Sequence, residues 1–174
     1  MTAKLGASTD GTKVTLGTSA EDILQIDTTA KTIKPLGSYK MAGNGPAFIA
    51  RKTASQTIVS GEITKVTMGV EDYDTDNCFD LANSRFTPNV AGFYYVSGLI
   101  YSIPASGAAY AHIFKNGADY LYGTGAPQGV SGVSGLVYMN GTTDYLELWV
   151  GVANTTITGI ETLTHFSAFL ARTA

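Results

Sequence analysis

Three aspartates at alternate positions, Asp72, Asp74 and Asp76, stand in the run Glu71-Asp72-Tyr73-Asp74-Thr75-Asp76-Asn77. Hard carboxylate oxygens at that spacing open the loops that wrap calcium. An EF-hand would continue with Gly at position 77 and Glu at position 83, and both are Asn here. The run is expected to be a solvated acidic turn, with a calcium site on Asp72, Asp74 and Asp76 as the alternative and no other cofactor. His112 and His165 lie in strand-like segments far apart in the chain, without the clustered histidines of a zinc hydrolase. Gly132-Val133-Ser134-Gly135 misses the G-x-S-x-G nucleophile elbow by one residue, and no helical pattern follows Gly123-Thr124-Gly125 to make a dinucleotide loop. Cys78 is the only cysteine, so no intrachain disulfide can form, and it reads as a small buried apolar side chain. These residues compose no catalytic constellation, and the expected class is non-enzymatic.

Tyrosine carries the stronger signal. The chain has ten, nine of them between Tyr73 and Tyr145, and tyrosine favours interfaces because it buries a large ring and keeps a polar tip. Tyr120, Tyr122 and Gln128, beside a glycine-rich loop expected over residues 123–135, are the candidate ligand loop. The densest run, residues 91–101, reads as one long strand of aromatic and β-branched residues. Side chains alternate along a strand. Phe93, Tyr95, Leu99 and Tyr101 therefore share one side, and Tyr94, Val96 and Ile100 the other. Neither side is polar, so one fills a core and the other requires a further apolar partner, most simply a neighbouring subunit. Tyr94, Val96, Ile100, Phe93, Tyr95, Phe86 and Phe166 are the expected core and trimer-interface residues.

The elements that position them are short strands. From Ala47 onward, strand patterns fall at 47–52, 57–59, 63–67, near Phe79, 93–101, 109–115, 120–122, 133–139, 145–152, 155–160 and 166–170. No helical period persists, and Asn116-Gly117 and Asn140-Gly141 are read as hairpin turns. Many short strands with regular turns predict an all-β antiparallel sandwich. Residues 1–45 differ: they are rich in Thr and Ser, contain Lys but no Arg, and offer only two strand-like pieces, 12–16 and 23–27. They are expected to be an N-terminal arm, with residues 37–45 as the linker into a domain at 46–174.

Charged residues make up only 14% of the chain, against about 25% in an ordinary soluble domain, so part of the surface is expected to be covered by other protein. A net charge of −3 without a basic cluster excludes a nucleic-acid footprint. Phe86 to Phe114 is free of Asp, Glu, Lys and Arg, but Pro88, Gly92, Gly98, Pro104 and Gly107 interrupt it, so a transmembrane helix is not expected. Residues 1–6 lead into polar turns rather than an apolar stretch, so no secretory leader is expected.

Phe79, Phe86, Gly92 and Tyr94, with six, five and one residues between them, resemble the signature of the C1q domain, a member of the TNF-like jelly rolls. Asp74 occupies its Asn/Asp position; Met68 stands for a Phe, Val96 for a Phe and Gly98 for an aromatic. Pro46-Ala47-Phe48-Ile49-Ala50 is similar to the opening strand, Phe114-Lys115-Asn116-Gly117 to the mid-domain turn, residues 134–139 and 143–148 to late strands, and residues 164–170 to the closing strand. The resemblance covers about 46–174 and implies a C1q/TNF-like jelly roll that assembles as a homotrimer. Residues 1–45 resemble, in composition, Thr-rich segments of bacteriophage fibre and virion proteins. Together these predict a trimeric phage structural protein, assembled in the host cytoplasm and carried on the particle surface. Its arm would be fixed to a major capsid protein or a tail protein, as a capsid decoration or head fibre. The rival reading is a receptor-binding tip that recognises host glycan or protein.

Overall fold

Every element among the described residues is a strand. The computed structural model describes residues 3–7, 13–18, 22–27, 29, 32–35, 45–59, 61–104, 108–126, 129–152, 155–157 and 163–174. Among these, no helix is long and apolar enough to cross a membrane. The chain divides into two compact units, Met1–Asn44 and Gly45–Ala174.

The first unit is a four-stranded antiparallel meander of β1 (Ala3–Ala7), β2 (Lys13–Thr18), β3 (Asp22–Asp27) and β4 (Thr32–Pro35), in that spatial order. Two strands were expected there and four are found. The additional two are short, and Pro35, which has no N–H to donate, ends the edge strand. The register sets Leu5 opposite Leu16 and Leu16 opposite Leu24, and sets Ile26 opposite both Val14 and Ile33. The expected linker, apart from Gly45, lies outside the described residues.

The second unit is a sandwich of thirteen strands among the described residues. They are β5 (Ala47–Arg51), β6 (Gln56–Ile58), β7 (Ile63–Lys65), β8 (Val70–Asp74), β9 (Phe79–Asp80), β10 (Arg85–Phe86), β11 (Gly92–Pro104), β12 (Ala109–Lys115), β13 (Ala118–Ala126), β14 (Gly129–Met139), β15 (Leu146–Val152), β16 (Thr155–Ile157) and β17 (His165–Thr173). One sheet runs β6-β16-β11-β17-β5-β8, with β14 on the free side of β11. The other runs β13-β12-β15-β10-β9, with β7 also on β15. We call these the β11 sheet and the β12 sheet. Consecutive strands repeatedly change sheets, as a jelly roll requires.

Between the sheets the core is aromatic. Phe48 stacks on Phe79 at 4.5 Å and on Phe86 at 4.6 Å, and meets Phe166 edge-on at 5.1 Å. Ala111, Ile113, Leu146, Leu148 and Val150 close it from the β12 sheet. Gly98 faces this core. A side chain there would clash with Leu148, which fills the place of the aromatic in the C1q-like pattern.

Three turn readings resolve differently from one another. Asn116-Gly117 closes the β12–β13 hairpin with φ of 54° and 80°, the pair of positive values a type I′ turn requires. Asn140-Gly141 closes no hairpin, because β14 and β15 belong to opposite sheets. Instead Asn140 Oδ1 accepts the N–H groups of Thr142, Thr143 and Asp144, winding a capped crossover between the layers. The loop expected over 123–135 is mostly strand: β13 runs to Ala126 and β14 starts at Gly129. Its glycines bring two backbones together at the sandwich corner. A side chain on Gly123 would strike the Gly132 carbonyl, and one on Gly135 would meet Leu121.

Candidate functional site

Strand β11 is paired along most of its length, to β14 on one side and to β17 and then β16 on the other. Central position explains its aromatic and β-branched content on both sides. Tyr94, Val96 and Ile100 are fully buried between the sheets. The Tyr94 ring meets Phe86 edge-on at 5.6 Å, and its hydroxyl donates to the Val90 carbonyl at 2.8 Å. Burial pushes the Tyr94 phenol up to about 12. Phe86 and Phe166 lie in the same core. Of the seven residues expected at core or interface, five therefore face inward, and Phe93 and Tyr95 face away from the sandwich.

The outward face is apolar across several strands. Phe93 is 43% exposed and Tyr95 40%, and Leu136 on β14 and Phe169 on β17 flank Tyr95 in register. Phe93 meets Tyr138 at 5.5 Å, and Tyr95 meets Phe169 at 5.7 Å. Below this cluster Ser97 pairs with Ser134 on one side and Ser167 on the other. A second apolar group follows, with Leu99, Tyr101, Ile103 and Val130. His165 lies opposite Leu99, and its partial burial and the Arg51 charge beside it lower its pKa. A contiguous exposed apolar patch with aromatic anchors is the composition of a protein interface. Leu136, Tyr138 and Phe169 share this outward face and were not among the residues expected at core or interface. The available signal was that residues 136–139 are also apolar on both sides of a strand.

The acidic run lies elsewhere and does other work. Asp72 and Asp74 sit on β8, a strand missed in the sequence because its alternation is acidic rather than apolar. Asp72 pairs with Arg51 on β5. Asp74 Oδ2 accepts the Phe79 N–H at 2.6 Å, and Oδ1 accepts that of Asp76 at 3.4 Å. Asp76 and Asn77, the latter at φ 54°, form the turn. The carboxylates thus hold the chain as it delivers Phe79 to the core. Among the described residues no group of three or more His, Cys, Asp or Glu could hold a metal ion. Cys78 is buried beside this turn, and burial raises its thiol pKa.

Of the candidate ligand loop, Tyr120 and Tyr122 are exposed side chains of β13, and Gln128 lies outside the described residues. The other sequence-predicted groups are not assembled together: His112 is in β12 and His165 in β17, in opposite sheets.

Two antiparallel sheets in this strand order form a TNF-like jelly roll. Solved structures show the same fold. Murine APRIL overlaps at a TM-score of 0.56 and 8% identity, over 73% of this chain and 99% of that one. Eiger TNF from S. frugiperda overlaps at 0.58 and 8% identity, over 75% and 93%. The globular domain of zebrafish complement 1qA reaches 0.49 at 15% identity, over 74% and 99%. At such identities the likeness is one of fold alone. In sequence, neither a family profile nor a curated protein matches the chain.

Proposed function

We propose that this chain is a non-enzymatic structural protein of a phage particle. In this reading Gly45–Ala174 forms a trimeric knob, and Met1–Asn44 anchors it to a capsid or tail protein. The observation that carries the reading is the outward face of the β11 sheet, where Phe93, Tyr95, Leu136, Tyr138 and Phe169 lie in one patch without a partner among the described residues. Covering such a face stabilises an assembly by roughly 25 cal/mol per Å² of apolar area. Three copies are what the TNF-like resemblance implies. The particle setting is supported by the low charge content, the lone buried Cys78 and a separate N-terminal sheet unit. Such a unit suits a chain with one end committed to a larger body and the other displayed. Capsid decoration or a head fibre is the favoured form, with a receptor-binding tip as the rival.

Mass spectrometry of particles purified from the native source tests the reading. The chain should co-purify with a major capsid protein in hundreds of copies. A handful of copies would indicate a tail tip, and absence from every particle fraction would end the virion reading.

A further inference from the structure

The β12 sheet carries a second aromatic surface that neither the core nor the proposed assembly explains. Along β12, Ala109, Ala111 and Ile113 enter the core, so Tyr110, His112 and Phe114 lie on the opposite, outward side. His112 is nevertheless only 3% exposed. The Tyr122 ring stands edge-on to it at 4.7 Å and 87°, and its Nδ1 lies 2.8 Å from Asp119 Oδ2. Glycines make room for the rings. Tyr110 lies against bare backbone at Gly125, where a side chain would clash with it, and a side chain at Gly151 would come within 3.1 Å of His112 Nε2. Glycine inside a strand weakens it, so their placement under two rings requires a reason. The Tyr110 and Tyr122 rings are 5.5 Å apart and inclined by 30°, and Tyr122 is 64% exposed.

We propose that Tyr110, Tyr122 and Asp119, with His112 as the residue that positions them, form a binding site for a neutral sugar of a glycan. Exposed ring faces carry the negative lobe of the aromatic quadrupole and attract the C–H face of a pyranose. Sugar hydroxyls at the rim need paired donors and acceptors. The two phenols supply both. Asp119 binds His112 through Oδ2, and its side chain is 42% exposed. The nearby cations are committed: Lys115 to Asp144 and the Tyr138 carbonyl, and Arg85 and Lys65 to Glu147. That commitment disfavours an anionic sugar or a phosphate. The site does not depend on the particle reading or on the trimer.

The test uses the full chain and a panel of neutral oligosaccharides containing glucose, galactose, mannose and N-acetylhexosamines. Saturation-transfer NMR identifies the sugars that bind. The fluorescence of Trp149, the single tryptophan, which stacks on Phe114 at 4.5 Å beside His112, follows the titration. At least one sugar should bind saturably. Tyr122→Ala should weaken it about tenfold or more, the loss of roughly one ring contact, and Tyr122→Phe should retain part of the affinity. Tyr122→Ala should keep the β-sheet circular dichroism spectrum, with a small fall in thermal midpoint from the lost ring contacts to His112 and Tyr110. The proposal is overturned if no sugar in the panel receives saturation at millimolar concentration, or if Tyr122→Ala binds as well as the unmodified chain. It is also overturned if that substitution lowers the oligomer mass, since the platform would then be a contact between copies.

Discussion

Tyr94 and Tyr95 are adjacent and do opposite work. Tyr94 is sealed between the sheets against Phe86, so Tyr94→Ala should cost roughly 3–5 kcal/mol in each chain through lost contacts and the cavity left behind. Tyr94→Phe removes only the bond to the Val90 carbonyl and should cost about 1 kcal/mol. Urea unfolding measures both, and a Tyr94→Ala chain with unchanged stability would place the core elsewhere. Lys52 is the second telling residue. It is 2% exposed, and Nζ donates to Gln56 Oε1, the Thr67 carbonyl and Thr67 Oγ1, all neutral acceptors. Burial without a carboxylate lowers its pKa from 10.5 to about 8. Between those values the unfolded chain binds the extra proton, so stability should rise with pH across this window, by up to about 3 kcal/mol, and the full penalty remains below pH 8. Cys78 and Tyr94 oppose this as pH passes about 9 and 10, because burial raises both and their unfolded forms ionise first. Urea midpoints at pH 7.5 and 9.5 should therefore climb in the unmodified chain relative to Lys52→Met, where only the opposing Cys78 contribution remains; equal slopes would show that Lys52 is not the group responsible.

Among the elements, glycine separates tolerant from intolerant positions. At Gly98 an added methyl meets the end of the Leu148 side chain, which can rotate away. At Gly123 it meets the Gly132 carbonyl, which cannot move without parting β13 from β14. Gly123→Ala should thus lower the thermal midpoint well beyond Gly98→Ala, where overpacking costs about 1–3 kcal/mol; the reverse order would contradict the corner packing described. These same positions mark what was legible in the sequence. Strands β5, β11, β12, β15 and β17 were readable because apolar alternation and aromatic content are local properties. The sandwich class followed from them, and the jelly roll from the spaced signature around Phe79, Phe86, Gly92 and Tyr94. The glycines at 123–135 suggested a loop because close approach of two backbones, the cause of their presence, is a tertiary property. Asn140-Gly141 suggested a hairpin because the dipeptide specifies a tight reversal, not which sheet receives the next strand. The outward cluster of Phe93, Tyr95, Leu136, Tyr138 and Phe169 needed the register of three strands, and the platform at Tyr110 and Tyr122 needed the side-by-side placement of β12 and β13.

For the whole molecule, the proposed assembly has three copies meeting at the outward face of the β11 sheet. A monomer would leave Phe93, Tyr95, Leu136, Tyr138 and Phe169 in water, and an obligate interface of this apolar kind buries more than about 2,000 Å². The claim separates assembly from folding, because substitutions on the outward face leave Phe48, Phe86 and Tyr94 packed as before. The most direct measurement is sedimentation of the full chain at micromolar concentration beside a Phe93→Asp/Tyr95→Asp variant. The unmodified chain should sediment near three times its 18.2 kDa, and the variant should be a monomer that retains the β-sheet circular dichroism spectrum. An unmodified chain that runs as a monomer, or a variant that stays trimeric, would contradict the claim.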